Sequence, residues 1–171
     1  MPDITTGKVN GGFNLFIDGK GYAARVTELE LPKLKIKTED HQPGGYDAPV
    51  KIDLGMEAIE AIFTIGDFDA DALKYMGVGH NNPVACTIRG SLAHGNGEDT
   101  PLVAQLQGMW SEVENPKFKR GEKFEQKITV ACKYYKLELG GKVIHEIDIE
   151  NMVRMVDGKD YLAASRASIG M

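Results

Sequence analysis

Between Leu29 and Leu54 the chain reads LELPKLKIKTEDHQPGGYDAPVKIDL, two charged alternating segments joined by a Pro/Gly-rich connection. In Lys33–Thr38, Leu34 and Ile36 alternate with Lys33, Lys35 and Lys37. In Val50–Leu54, Val50, Ile52 and Leu54 alternate with Lys51 and Asp53. This period of two predicts a pair of strands, each with one wet face. The connection is much longer than the two to five residues of an ordinary hairpin. It holds no catalytic constellation, and a segment of about ten residues can extend roughly 33 Å. Two readings stay open at this point. It is a variable surface loop, or it is an arm that adds to a neighbour's sheet or lies across its surface.

The remainder of the chain fits one mainly-β domain. At 171 residues with 42% hydrophobic and 26% charged residues, it can bury a core of its own. Twenty glycines fall between apolar runs, as turns between short strands require. Phe13–Ile17 is followed by the turn Asp18-Gly19. In Tyr22–Leu31, Glu28 and Glu30 share one face, and Pro32 then marks an edge or a bulge. Met56–Ile65 reads as a strand from its β-branched, aromatic end, and Asp67–Met76 as a helix capped by Asp67 and stopped at Gly77. That helix would place Phe68, Ala72, Tyr75 and Met76 on one face.

Further strands are expected around Val84–Leu92, Leu102–Trp110 and Phe124–Tyr134, and across a hairpin turning at Gly140-Gly141. A turn is expected at His94–Gly97, and a short terminal helix in Lys159–Ser168. The fold class is therefore a mainly-β single-domain barrel or sandwich, with one internal helix (about Phe68–Met76) and a short C-terminal helix. Met1–Gly12 reads as a flexible arm.

Composition and motifs exclude several kinds of chemistry. A net charge of −5 argues against a domain held on nucleic acid by phosphate contacts, and the cations Lys117, Lys119, Arg120 and Lys123 are interleaved with Glu114, Glu122 and Glu125, as in a solvated turn. Asp67, Asp69 and Asp71 resemble the start of a calcium loop. The required glycine and distal glutamate are replaced by Ala72 and Val78, and helix capping explains the same carboxylates. His41, His80, His94 and His145 lack zinc-ligand spacing. No nucleophile elbow or phosphate loop occurs, and the two cysteines, Cys86 and Cys132, lie in apolar strands as free core thiols. No apolar run approaches a membrane span. An enzyme and a metal are both unexpected.

Taken in order, Thr27–Glu57 (TELELPKLKIKTEDHQPGGYDAPVKIDLGME), Phe63–Gly77 (FTIGDFDADALKYMG) and Ile128–Leu162 (ITVACKYYKLELGGKVIHEIDIENMVRMVDGKDYL) resemble the major tail tube protein family of contractile-tailed bacteriophages and R-type pyocins. The likeness spans nearly the whole chain, and in Asn82–Gly121 it rests on strand pattern alone. It implies a non-enzymatic, cofactor-free subunit, made in the bacterial cytoplasm, of hexameric rings stacked into a tube. Its implied partners are further copies of itself, the tail sheath protein, the baseplate or initiator and the tail terminator. DNA would pass through the channel without specific binding in a phage, and the tube would puncture an envelope in a pyocin.

On this footing residues 1–171 form a single tail tube domain with an extended inter-subunit loop at 40–50. His41, Gln42, Pro43, Gly44, Gly45, Tyr46, Asp47 and Pro49 are expected to meet the adjacent ring or subunit. Glu28, Glu30, Glu39, Asp53 and Glu60 are expected to line an acidic channel that repels phosphate, with Lys33, Lys35 and Lys37 at a ring interface. The competing reading is a stand-alone β-barrel ligand binder whose long loop closes over a pocket. A hydrolase would need an acid or histidine cluster that this order of residues does not supply.

Overall fold

The computed structural model describes residues 8–77, 83–93 and 98–171, with residues 8–11 described by backbone path alone. The apolar alternations emerge as strands in chain order: β1 (Lys8–Ile17), β2 (Lys20–Gly21), β3 (Val26–Glu30), β4 (Ile36–His41), β5 (Val50–Met56) and β6 (Ile59–Ile65). After α1 (Ala70–Leu73) come β7 (Val84–Ala93), β8 (Asp99–Glu114), β9 (Gln126–Leu139), β10 (Lys142–Asp148), β11 (Val153–Val156), β12 (Lys159–Asp160) and α2 (Ala163–Ser168). Asp18-Gly19, Gly140-Gly141 and Asp157-Gly158 each have positive φ at both positions. That is the type I′ geometry, whose twist matches the strands it joins.

The long strand β9 organises the domain. Along one edge it pairs with β8 throughout. Along the other, its first half (Gln126–Cys132) pairs with β6 and its second half (Tyr134–Leu139) with β10. The sheet therefore branches: β12-β11-β10-β9-β8-β7-β1-β2 on one path, and β3-β6 joined to β9 off it. Register shifts in β8 at Gln107/Gly108 and Trp110/Glu112 bend the shared strands. The two branches then face each other across one core. Leu15, Ile17, Cys86, Ile88, Leu106, Tyr135 and Ile147 come from the main path, Ile59, Phe63 and Ile65 from β6 off it, and Trp110, Ile128 and Val130 from the stretches of β8 and β9 that run beside β6. The result is sandwich-like, and no path among the described residues closes into a barrel.

Cys86 and Cys132 lie in this core as free thiols, and burial pushes both up to about 12. Iodoacetamide at pH 8 should therefore label neither cysteine in the native protein and both after denaturation, as read by intact-mass spectrometry. Labelling without unfolding would contradict this packing.

The internal helix is a single turn, shorter than the expected Phe68–Met76. Asp69, not Asp67, is its N-cap, accepting from the Asp71 N–H at 2.9 Å. Tertiary contacts end the helix early. The Tyr75 ring lies 5.4 Å from Trp110, Met76 bridges to Trp110, and Gly77 N–H donates to the Trp110 carbonyl at 3.2 Å. Phe68 and Met76 remain exposed instead of packing on the helix's inner face. At the other end of the chain, Lys159-Asp160 is strand and the terminal helix begins only at Ala163. Residues 8–12 of the expected N-terminal arm belong to β1, and Met1–Gly7 lie outside the described residues. The expected turn at His94–Gly97 lies outside them too.

Candidate assembly surfaces

The two charged alternating segments form β4 and β5, an antiparallel pair that makes a sheet of its own, apart from the branched one. The strand reaches three residues beyond the expected Thr38, so His41 belongs to β4, opposite Val50, and the connection narrows to 42–49. Both faces of the pair lie open, not one. Ile36, Val50, Ile52 and Leu54 are exposed, as are all six residues of β4. Leaving an aliphatic residue half in water forgoes a share of the roughly 1.5–3 kcal/mol that full burial contributes. Several together on one element make it a candidate interaction surface.

The tip is locally ordered: the Gln42 side-chain amide donates to the Tyr46 carbonyl at 3.1 Å, and Tyr46 N–H donates to the Pro43 carbonyl at 3.2 Å. The root is tied by charge. Lys35 pairs with Glu57 at 2.7 Å, and Arg154 of β11 donates to Asp53 at 2.9 Å. Asp53 also accepts from Gly55 N–H at 2.7 Å, and these two hydrogen bonds, the backbone one leading, hold its carboxyl below the usual carboxylate range. Lys33, Lys35 and Lys37 flank this root, and Lys33 and Lys35 line a cleft with Glu30, Glu57 and Glu60.

The five expected channel carboxylates do not share a face. Glu39 lies opposite Ile52 and Asp53 opposite Thr38, so the two point to opposite sides of the arm, and Asp53 is occupied by Arg154. Glu28, Glu30 and Glu60 do come together. Glu28 pairs with Thr64 and Glu30 with Ile62, on the side of β6 that carries Glu60 and faces away from Ile59, Ala61, Phe63 and Ile65.

The register extends this face across β9 to β8. Thr64 opposes Lys127, which opposes Glu114; Ile62 opposes Thr129, which opposes Glu112. The outer face thus carries Glu28, Glu30, Glu60, Glu112 and Glu114, with Lys127 among them. Sequence reading missed Glu112 and Glu114: period two counted from buried Trp110 puts them on the inner face, and the register shift at Trp110/Glu112 is what turns them outward.

The Asp67/Asp69/Asp71 triplet is taken up by cations of its own chain. Arg25 reaches Asp67 at 2.7 Å and Asp69 at 3.0 Å, while Asp71 lies between Lys20 at 2.5 Å and Lys74 at 2.8 Å. Those two lysines, Lys20 foremost, hold Asp71 down at about 2. Because the folded value lies below the unfolded one of about 3.9, this stabilisation is present above pH 4 and fades as pH falls through 2. Asp71→Asn should flatten the stability profile in that window and leave its shape near neutrality unchanged, as followed by thermal melts across pH. Among the described residues no group of three or more His, Cys, Asp or Glu side chains is arranged to hold a metal.

Comparison with known proteins bears on the family and on the fold. Residues 10–170 match the family model described as phage tail tube protein FII. The tail tube protein of Escherichia phage P2 is 31% identical over 163 residues, covering 92% of this chain and 94% of that one. The major tail tube protein of Serratia phage KSP20 is 28% identical over 151 residues, covering 86% of each. Among solved structures, the sheath/tube terminator of the PVC extracellular contractile injection system superposes with a TM-score of 0.58 at 12% identity, over 75% of this chain and 94% of that chain. The sheath-tube complex of the same system gives 0.56 at 13% identity, over 74% and 87%. At such identities these two likenesses concern the fold alone.

Proposed function

This chain belongs to the phage tail tube protein FII family, and from that premise we propose that it works as a ring-forming subunit of an inner tail tube, six copies to a ring, rings stacked around a channel. The observation that carries the reading is the β4–β5 arm, a strand pair apart from the main sheet that is tied to its own subunit at the root and carries Ile36, Val50, Ile52 and Leu54 exposed. Residues 42–47 and Pro49, with His41 at the end of β4, form its contact with another copy. Among the described residues no further strand pairs with the outer edge of β3 or with either edge of the arm, and strands added there would remove edges that otherwise invite uncontrolled pairing.

The outer face bearing Glu28, Glu30, Glu60, Glu112 and Glu114 supplies the channel wall. At about 0.15 M salt the field of an exposed carboxylate reaches roughly 8 Å. A ring of such faces would therefore present a nearly continuous negative lining that repels phosphate and lets DNA slide without specific binding. In a headless particle the same tube would serve to puncture an envelope, and packaged DNA distinguishes the two uses. Sheath subunits would surround the tube, with a baseplate or initiator at one end and a terminator at the other. The subunit's role is structural, without catalysis.

Electron microscopy of particles from the producing cell tests the reading. Expected is this chain as the innermost wall, with Glu28, Glu30 and Glu60 facing the lumen. A map placing the chain outside the inner tube overturns the function, and one placing those carboxylates on the outer wall overturns the lining alone.

A further inference from the structure

The arm and the loop between β8 and β9 project from opposite poles of the subunit and are chemically complementary. β6 sets the axis: Ile59 pairs with Cys132 at one end and Ile65 with Gln126 at the other. The arm leaves the Ile59 end, since β5 finishes at Met56; the 115–125 segment enters at the Gln126 end. Seven residues separate the poles, roughly 20 Å at about 3.3 Å per residue.

The arm tip is acidic and aromatic. It carries Glu39, Asp40 and Asp47, of which Asp40 is held by Lys51 at 2.8 Å, and Tyr46 is 56% exposed. The opposite loop is basic and aromatic. It carries Lys117, Lys119, Arg120 and Lys123 against Glu122 and Glu125, and Glu122 is engaged by Lys119. Phe118 stands 84% exposed above Phe124 at 5.3 Å, and Phe124 rests edge-on to Phe68 at 5.5 Å. Exposed aromatic rings with an arginine beside them are enriched at interfaces, and the lysines around them suit the polar rim of one.

We infer that the arm tip of one copy seats on the 115–125 loop of a second copy, Tyr46 against Phe118, with Glu39 and Asp47 facing Lys117, Arg120 and Lys123. This rests on the tube reading and names the receiving surface within it. Opposite charges on opposite poles make the contact heterologous, so each copy can accept one arm and offer another; such contacts propagate instead of stopping at a pair. A basic loop in a chain of net charge −5 then has a partner in every further copy.

The test is a cysteine pair. Cys86 and Cys132 are buried and stay silent. The double variant Tyr46→Cys/Phe118→Cys, oxidised under conditions in which microscopy shows rings or tubes, should give a disulfide ladder extending past dimer. Either single variant alone should give at least tenfold less cross-link. Glu39→Lys with Asp47→Lys should reduce the ladder at least tenfold, and adding Lys117→Glu with Arg120→Glu should restore it. Tubes without a ladder, or a charge reversal that is not rescued, overturn this contact and leave the tube subunit standing. Absence of rings or tubes from the unmodified chain at millimolar concentration overturns self-assembly and the contact with it.

Discussion

Replacing residues 42–49 by Asn-Gly yields a folded monomer that no longer polymerises. The design follows the register: His41 pairs with Val50, so a two-residue type I′ turn closes β4 onto β5 without altering either strand. The deleted residues are exposed apart from half-buried Pro43, and the hydrogen bonds from Gln42 to Tyr46 and from Tyr46 to Pro43 stay within the tip. Stability should therefore shift by no more than about 0.5 kcal/mol, or roughly 1–2 °C in a chain of this size. Assembly should fall by orders of magnitude, because the aromatic and acidic contacts at the tip are removed together. Sedimentation velocity and negative-stain microscopy on matched concentrations read both quantities. Normal tubes from the shortened arm would refute its role in assembly, and a melting temperature lowered by 10 °C would show that the tip packs on its own subunit instead.

The same arm shows what the sequence disclosed and what it withheld. Alternation in Lys33–Thr38 and Val50–Leu54 revealed two strands, and the family was legible in the ordered motifs from Thr27 to Leu162. Period two does not say whether a strand's second face is covered. Lys33, Lys35 and Lys37 suggest one wet face, whereas the pair stands off the main sheet with both faces open. The register divides the expected channel carboxylates in a related way. Glu28 and Glu30 were grouped correctly from their spacing. Glu39 and Asp53, in contrast, were assigned without knowing the β4–β5 register, which sends them to opposite sides.

Glu112 and Glu114 join the acidic face only through long-range pairing across β9 and β6, which no local pattern encodes. The helix expectation also yielded to tertiary contacts. Asp67 has the chemistry of an N-cap, but Arg25 claims it, and β8 draws Met76 and Gly77 out of helical register. Local signals located the elements, and non-local pairing decided their faces.

Adding a single methyl at Gly108 should be among the most damaging changes available to this fold. Gly108 lies at the β8 register shift, where the branched sheet bends and the two layers begin to face each other. A Cβ built there would sit 2.1 Å from the Ala131 carbonyl oxygen, 2.8 Å from its carbon and 2.9 Å from Cys132 Cα. All three are backbone atoms of β9, the strand paired to both branches, so no rotamer change relieves the overlap. Either β9 moves away from β8, breaking ladder hydrogen bonds next to Trp110 and Val130, or the bend opens and the core loses its closure. Overpacking of this kind typically destabilises by 1–3 kcal/mol and by more where backbone must shift. Gly108→Ala should accordingly remove about 3 kcal/mol or more, lowering the melting temperature by roughly 6–12 °C or leaving the chain insoluble. Gly44→Ala is the control: nothing lies within 4 Å of a Cβ at that tip position, and its melting temperature should match that of the unmodified chain. If Gly108→Ala melts with the control, the close approach of β8 to β9 is not what holds the bend.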